Sequence, residues 1–574
     1  MPKLVNFRFR PKRSPLFPPS VRRQRLSSGA KRCLLLAGCL LLAPAIRAQF
    51  WTEATAISSP AKESVGDWVI DAAGNRYLGG SFGDRLEIGD NLLQSQGKDD
   101  VFLAKYRPNG SVDWVVEGGS VDFDQVSALA IDPAGDIVWG GQFWIEGQFG
   151  ELTLPLGVDS RGIYLLKHSP TGELQWGRSI EGEGLKILSD IQTDAEGNLY
   201  LTGYFANTLT FADTTFQAVG LQNLFLLKFD PQGTLVWGST AGYAGEIRPE
   251  VLALSPTGQI TVAGDFQGRA VFANDSIKTN TQDRDVFVAA FDPSGRALWG
   301  RKAGGVYQDN CLALAVDPSG NAYVTGRYLG VMTLSDSLDI RTEGFNENFY
   351  LIAYRPNGVP YQAHSFGGGG DELAHDLLVH DGRLYFTGHY YGDLTIDNRQ
   401  LPGFTDRFSA FVAVFDTLGQ LDWMRRATSD QYVEGNRLVV DGEGTVWVTG
   451  HFGDDAQLDE QRISGDGLND LFIARLDPLL TSTVVAPGAE RGVQLNVFPN
   501  PVTDEVHLVW KGQRDGTVDL QLFDTRGRLW RRLALEAGQR SWAGNVQHLP
   551  AGLYYWQYRV SGGHPAVVPM VIAR

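Results

Sequence analysis

Short apolar runs recur through the body of the chain, separated by polar turns rich in Asp, Pro and Gly. Residues 286–326 show one unit: VFVAAF, the turn Asp292-Pro293-Ser294-Gly295, RALWGRKAGG, then LALAVD, a second turn Asp317-Pro318-Ser319-Gly320, and NAYVTG. Their length and their β-branched and aromatic content predict strands. In each Asp-Pro-x-Gly turn the proline sets φ at the second position and the glycine accepts positive φ at the last. Each turn therefore joins two antiparallel strands, and one unit holds four.

The unit repeats. An apolar stretch, a glycine, one variable residue and an aromatic occur as YLGGSF, VWGGQF, YLTGYF, TVAGDF, YVTGRY, YFTGHY and WVTGHF. The anchoring glycines Gly80, Gly141, Gly203, Gly264, Gly326, Gly388 and Gly450 are spaced by 61 or 62 residues throughout. A four-stranded sheet that is apolar on both faces must be covered on both, so seven such sheets pack face to face around an axis. The predicted fold is all-β: a seven-bladed β-propeller over residues 49–480.

Tryptophans open the fourth strand at Trp114, Trp176, Trp237, Trp299 and Trp423, with Tyr361 in register between the last two. The seventh unit lacks one after LFIARLD, while Trp51 lies 63 residues before Trp114. The expectation is that the strand around Trp51 completes the last blade and closes the ring by an N-terminal strand. Residues 481–492, TSTVVAPGAERG up to Gly492, break the repeat and read as a linker. Beyond them EVHLVW, TVDLQLF and GLYYWQYRV alternate with Gly-rich turns, which predicts a small β-sandwich over 493–574.

Composition agrees with a folded all-β chain. Of 574 residues 43% are apolar and 11% aromatic, which excludes intrinsic disorder, and the 68 glycines supply the many turns. Charge is unevenly placed. Residues 1–48 hold eleven Lys or Arg and no acid, whereas residues 49–492 hold 60 acidic against 30 basic residues. A body this acidic repels phosphate backbones, so no nucleic-acid partner is expected. The leader, with its basic start, the apolar run Cys33 to Ile46 and small residues before a cut after Ala48, reads as a signal peptide. That 14-residue run is shorter than the roughly 20 residues a membrane-spanning helix needs, so an integral membrane protein is not expected. Leu36-Ala37-Gly38-Cys39 is an alternative lipid-attachment motif, disfavoured because the apolar run continues past it. Removal of the leader leaves Cys311 as the one cysteine, and no disulfide can form within the chain.

The repeat DVFVAAFDPSGRALW with ALAVDPSGNAYVTGRY resembles the bacterial seven-bladed propeller repeat family often called SBBP, and is related in pattern to NHL propellers. That resemblance implies a fold and an extracellular setting, without a catalytic motif. The C-terminal domain resembles the type A C-terminal sorting domain of type IX secretion substrates of Bacteroidetes-like bacteria. The residues that carry this are Asn496-Val497-Phe498-Pro499-Asn500-Pro501, LFDTRGRLW with Gly527, Leu549-Pro550-Ala551-Gly552-Leu553-Tyr554 and a terminal strand near Val571. It implies passage through the outer membrane by the type IX machinery, removal of the domain, and a cargo that is released or attached to the outer-membrane surface. The ending VIAR departs from the Lys-rich terminus usual in that family.

Candidate binding residues are those after the anchoring glycines: Ser81, Gln142, Tyr204, Asp265, Arg327, His389 and His451. Polar residues that vary while their neighbours stay fixed suit a binding ring, and equally suit positions freed from packing between blades. A glycan or a protein is the ligand class this leaves open. His364, His375, His380, His389 and His451 form no His-x-Glu, His-Glu-x-x-His or Cys-containing motif, so they read as surface residues, and no metal or cofactor is expected. Gly367 to Gly370 lacks the Lys-Ser/Thr ending of a phosphate loop. The turn aspartates are explained by hairpin chemistry without calcium. Cys311 reads as a packed thiol. No catalytic residue is expected, and the chain reads as a non-catalytic binding or structural module. The alternative is an extracellular polysaccharide- or peptide-degrading enzyme with a carboxylate pair in the central funnel.

Overall fold

The computed structural model describes residues 48–57, 63–156, 161–242, 244–279, 282–342, 346–442, 444–459, 461–465 and 469–479, and, of the C-terminal part, 494–498, 502, 505–511, 518–524, 528–535, 541–550, 552–560 and 566–572. The leader, the linker 481–492, Pro499 to Pro501 and Gly527 lie outside the described residues. The described chain is all-β, and none of its helices is long and apolar enough to cross a membrane.

Seven antiparallel sheets, each built on four strands, follow one another, here numbered sheet 1 to sheet 7. The four strands span residues 63–119, 125–180, 186–241, 244–303, 310–368, 372–429 and 433–479, and the last sheet takes its fourth strand from Ala48–Ile57. Sheets 1, 5 and 6 are extended to six strands by the outer hairpin of the next repeat and sheet 4 to five by Asp275–Lys278. The Asp-Pro-x-Gly turns form as the residues dictate. At Asp292 the backbone closes from Gly295 N–H to Asp292 O at 2.9 Å, and the carboxylate accepts from the N–H groups of Ser294 and Arg296. Those oxygens are used by the turn itself.

The sheets meet through side chains and, at Gly118–Gly119, Gly367–Gly368 and Thr428–Ser429, through backbone pairing with the outer hairpin of the next repeat. Each of seven core clusters draws on two sheets consecutive in the chain, except one that joins the seventh to the first: Trp447, Leu471 and Ile473 pack with Trp68, Leu78 and Phe102. The first strands, Glu63–Ile70, Gln125–Ile131, Lys186–Thr193, Ala244–Leu254, Asn310–Val316, Glu372–His380 and Val433–Val440, all contribute to the wall of one cavity of about 380 Å³.

Every first strand carries a β-bulge at the same place, at Gly66, Ser127, Ser189, Glu250, Leu312, His375 and Asn436. The bulge pushes a carbonyl of the first strand against the anchoring glycine of the second. A Cβ at Gly203 would collide with the carbonyl oxygen of Ile187, and one at Gly388 with that of Leu373. Close backbone approach, rather than positive φ, is what the recurring glycine provides.

Two register expectations need correction. Ala48–Ile57 pairs with Asp470–Leu479, but with Glu53 opposite Arg475, whereas in sheet 1 Trp114 lies opposite Lys105. Glu53 thus holds the tryptophan position, and Trp51, two residues earlier, is buried instead with Nε1 donating to Arg426 O at 2.9 Å. In sheet 5 Gln362 holds that position and Tyr361 is the bulged residue, because the segment joining the second and third strands, from Gly326 to its partner Tyr350, is one residue longer than from Gly264 to Phe287 in sheet 4. Elsewhere the tryptophan reaches the next sheet's turn: Trp114 Nε1 donates to Pro170 O, Trp176 to Pro231 O and Trp299 to Pro356 O, at 2.9–3.2 Å.

In the C-terminal domain, Gln494–Phe498, Glu505–Lys511 and Ser541–Asn545 form one sheet. Leu529–Leu535, Val518–Asp524, Gly552–Val560 and Ala566–Ile572 form a second. Leu495 and Leu508 of one share a core with Leu520, Trp556 and Met570 of the other, which makes a sandwich. Tyr554 hydroxyl donates to Pro550 O at 3.0 Å and so ties down the Leu-Pro-Ala-Gly-Leu-Tyr segment.

The bulge contact gives a direct expectation. Gly203→Ala should destabilise the protein by about 1–3 kcal/mol or more through backbone overpacking, whereas Gly442→Ala, with nothing within 4 Å of the new methyl, should stay near neutral. Urea unfolding of both variants measures the difference.

Candidate functional site

The bulges place a second row of polar side chains beside the cavity. After three of them stands an aspartate, Asp67, Asp190 or Asp376, and its two oxygens are both occupied. Oδ1 accepts from the next N–H of its own strand, at 2.7–2.9 Å. Oδ2 accepts from Leu129, Leu252 or Leu438 N–H in another first strand, at 2.8 Å each. Burial raises Asp67 to about 6 and Asp190 to about 7, against the lowering effect of those N–H donors. Arg437 lies 3.7 Å from Asp67. These carboxylates pin one sheet to the next.

Glu250, itself a bulged residue, lines the same cavity without taking part in such a bridge. It opens to the cavity yet is walled in by protein, and this enclosure, with the negative charge of Asp265 beside it, pushes its carboxyl up to about 8.

Of the seven residues after the anchoring glycines, Gln142, Tyr204, Asp265 and His389 contact the next sheet, whereas Ser81, Arg327 and His451 bond within their own repeat. Ser81 shares a hydrogen bond with Ser64 at 2.6 Å, and Gln142 donates to Leu188 O at 3.1 Å. Asp265 accepts from Cys311 N–H at 2.7 Å and from Asn310 Nδ2 at 2.6 Å. Arg248 lies over the ring of Tyr204. Arg327 pairs with Glu347 at 2.9 Å. His451 Nδ1 is bonded to Asn436 Oδ1 at 2.7 Å. Ser81, Gln142 and Asp265 are buried and the other four half-buried, so the row serves as a set of contacts between and within sheets. Cys311 is fully buried, and burial pushes its thiol up, away from nucleophilic use.

At His389 the row gathers something more. His375 Nε2 and His389 Nδ1 share a hydrogen bond of 2.9 Å, and Glu434 Oε2 of sheet 7 lies 3.7 Å from His389 Nδ1. One ligand atom from each of the three lies within 4.8 Å of the others. Burial holds His375 down at about 3 and His389 at about 4, so both imidazoles are neutral, and it raises Glu434. The expectation of surface histidines is corrected here, because the bulge turns His375 towards His389 instead of outward. His380 is half-buried, with its Nε2 3.7 Å from the exposed Asp381 carboxylate. His364 packs on Gly419, where the next turn would otherwise meet a tryptophan. Sequence reading missed Glu434 and the role of His375. Both stand in first-strand columns that vary from repeat to repeat, a signal visible once the repeats are aligned on their glycines.

Carboxyl pairs also close the strand ends. Asp124 is bonded to Ser120 N–H and hydroxyl and lies beside Asp100. Asp309 accepts from Gly305 N–H at 2.8 Å, with the charge of Asp285 bearing on it. Burial, then the neighbouring carboxylate's charge, raises Asp124 to about 7 and Asp309 to about 8, against the N–H bonds.

Residues 496–568 match the family model of the secretion system C-terminal sorting domain. They are a type IX sorting domain. The sorting domain directs export and secretion or attachment at the cell surface, and it is the part that meets the type IX secretion machinery. Gly552 and Leu553 of its motif lie on a strand, and Pro550 and Tyr554 are held as described above.

Over 496 residues, 71% of this chain, the sequence is 21% identical to an uncharacterized WD repeat-containing protein of Acanthamoeba polyphaga mimivirus. Over 199 residues, 33% of this chain, it is 27% identical to the regulatory protein FlaEY of Caulobacter vibrioides. The chain covers 36% and 21% of the lengths of these two relatives. Among solved structures, dimeric latent PorU from Porphyromonas gingivalis aligns at 10% identity and a TM-score of 0.14, over 65% of this chain and 34% of that one. A tetra-tandem repeat from the extending region of a large adhesion protein aligns at 11% identity and a TM-score of 0.12, over 89% of this chain and 99% of that one. Scores this low carry no weight for fold or function.

A folded carboxyl that ionises only near 7 or 8 keeps a proton that the unfolded chain gives up near 4, so its stabilising share is lost as pH rises between those values. Asp309→Asn and Asp124→Asn should therefore lose less stability than the unaltered protein between about pH 5 and about pH 8. Thermal unfolding across that range checks the slope.

Proposed function

We propose that the chain is a type IX-exported, seven-bladed β-propeller of the SBBP kind that acts outside the cell as a non-catalytic binding or structural module. The closed ring is supported by the core shared between sheets 7 and 1, by the strand Ala48–Ile57 in the last sheet, and by a cavity bordered by all seven first strands. The relation to a WD repeat-containing protein agrees with it.

One observation carries the non-catalytic reading. Asp67, Asp190 and Asp376 in the cavity wall accept one backbone N–H on each oxygen, which locks the carboxyl between two strands and takes away the freedom to turn towards a substrate for acid–base work. A glycan or a protein of the envelope is the partner class, and the source is a Bacteroidetes-like bacterium. After crossing the outer membrane the sorting domain is cut away, and the propeller is released or held on surface lipopolysaccharide. A hydrolase is the second reading, and Glu250, protonated near neutral pH, is the general acid it would use.

The test is made in a bacterium that has type IX machinery. The full chain should reach the medium or the cell surface, and the chain lacking residues 493–574 should stay in the periplasm. Export of the truncated chain would overturn the routing. Release of reducing ends from an envelope glycan, abolished in Glu250→Gln, would overturn the non-catalytic reading.

A further inference from the structure

We infer that His375, His389 and Glu434 form a binding site for one divalent transition-metal ion of the zinc class. Two imidazole nitrogens and one carboxylate oxygen are a donor set that zinc and its borderline neighbours take at about 2.0–2.2 Å, leaving a fourth position for water. Such bond lengths in tetrahedral geometry put ligand atoms roughly 3.3 Å apart. Here the separations are 2.9 Å between the imidazole nitrogens and 3.7 Å from His389 to Glu434. The ligand atoms of His375 and Glu434 lie within 4.8 Å of each other, so a bound ion would draw the three side chains closer together on that edge. Magnesium and calcium, which want six or more oxygens, do not suit the set.

The proton positions are consistent with this. Without metal, one of the two facing nitrogens donates to the other; with metal, both offer lone pairs and each ring carries its proton on the other nitrogen, His375 Nδ1 and His389 Nε2. The two arginines whose charges bear on the histidines are both countered, Arg327 by Glu347 and Arg437 by Asp67. The side chains of His389 and Glu434 keep 13% and 25% of their surface exposed, so an ion can reach them. His375 and His389 belong to sheet 6 and Glu434 to sheet 7, so the ion would bridge two sheets.

The test uses the full chain without a histidine tag, stripped with a chelator and titrated with zinc chloride alone, and in parallel with cobalt(II). One equivalent of zinc should bind, with tetrahedral cobalt absorption. At a hundredfold excess over Kd the melting temperature should rise by about 2–3 °C. His375→Gln, His389→Gln and Glu434→Gln should each weaken binding by more than the ~10–100-fold that loss of an outer-shell partner costs, while His380→Gln should leave it unchanged. Glu434→Gln, a substitution of nearly equal shape, decides the matter should a histidine variant fail to fold. Absence of bound zinc overturns the site, as does zinc retained undiminished by Glu434→Gln. Neither result bears on export or on the propeller.

Discussion

The contact between a bulged first strand and a side-chain-free second strand is the constraint on which the seven sheets depend. At each repeat an extra residue in the first strand presses a carbonyl onto the second, and only glycine leaves the room. The same bulge turns the following residues towards the neighbouring sheet, where Asp67, Asp190 and Asp376 find the N–H groups they hold. Local geometry and inter-sheet bonding thus come from one inserted residue, repeated about every 62 positions.

Interior acids do in this protein what cysteines do in many exported ones. Cys311 is its one cysteine among the described residues, and it is packed in apolar surroundings. The sheets are instead joined by carboxylates bonded to backbone N–H, by indole N–H groups on proline carbonyls and by apolar clusters at each junction. Lys167, buried between Asp132 at 2.7 Å and Asp136 at 3.2 Å, is a charged version of the same solution. A charge so enclosed is tolerated because it is paired twice.

Much of the architecture was legible because its causes are local. Alternation, the Asp-Pro-x-Gly turns and the spacing of Gly80 to Gly450 announce strands, hairpins and repeats without reference to the rest of the chain. Register was legible only approximately, since a count of residues between tryptophans cannot see a one-residue lengthening of a connection or a strand entering two residues out of step, as at Gln362 and Glu53. The ring of variable residues could be named, yet its members could not be sorted by their partners, because those of Gln142, Tyr204, Asp265 and His389 come from other repeats. His389 and Glu434 are far apart in the sequence, and it is a bulge and a sheet junction that bring them together. The sorting domain was legible from short motifs alone, and of these the described Pro550, Gly552 and Tyr554 mark the start of one strand.

The pairing of Ala48–Ile57 with Asp470–Leu479 has a kinetic meaning. Ala48 pairs with Leu479, 431 positions further on, and Trp51 N–H meets Asp459, 408 positions on, so contacts of the longest range in the repeat body must form before sheet 7 is whole. The entropy of closing that loop is met late, after the local hairpins have formed. A chain emerging from a ribosome or a translocon can therefore build its hairpins in order but cannot finish its last sheet until its beginning and the end of its repeats are on the same side of the membrane.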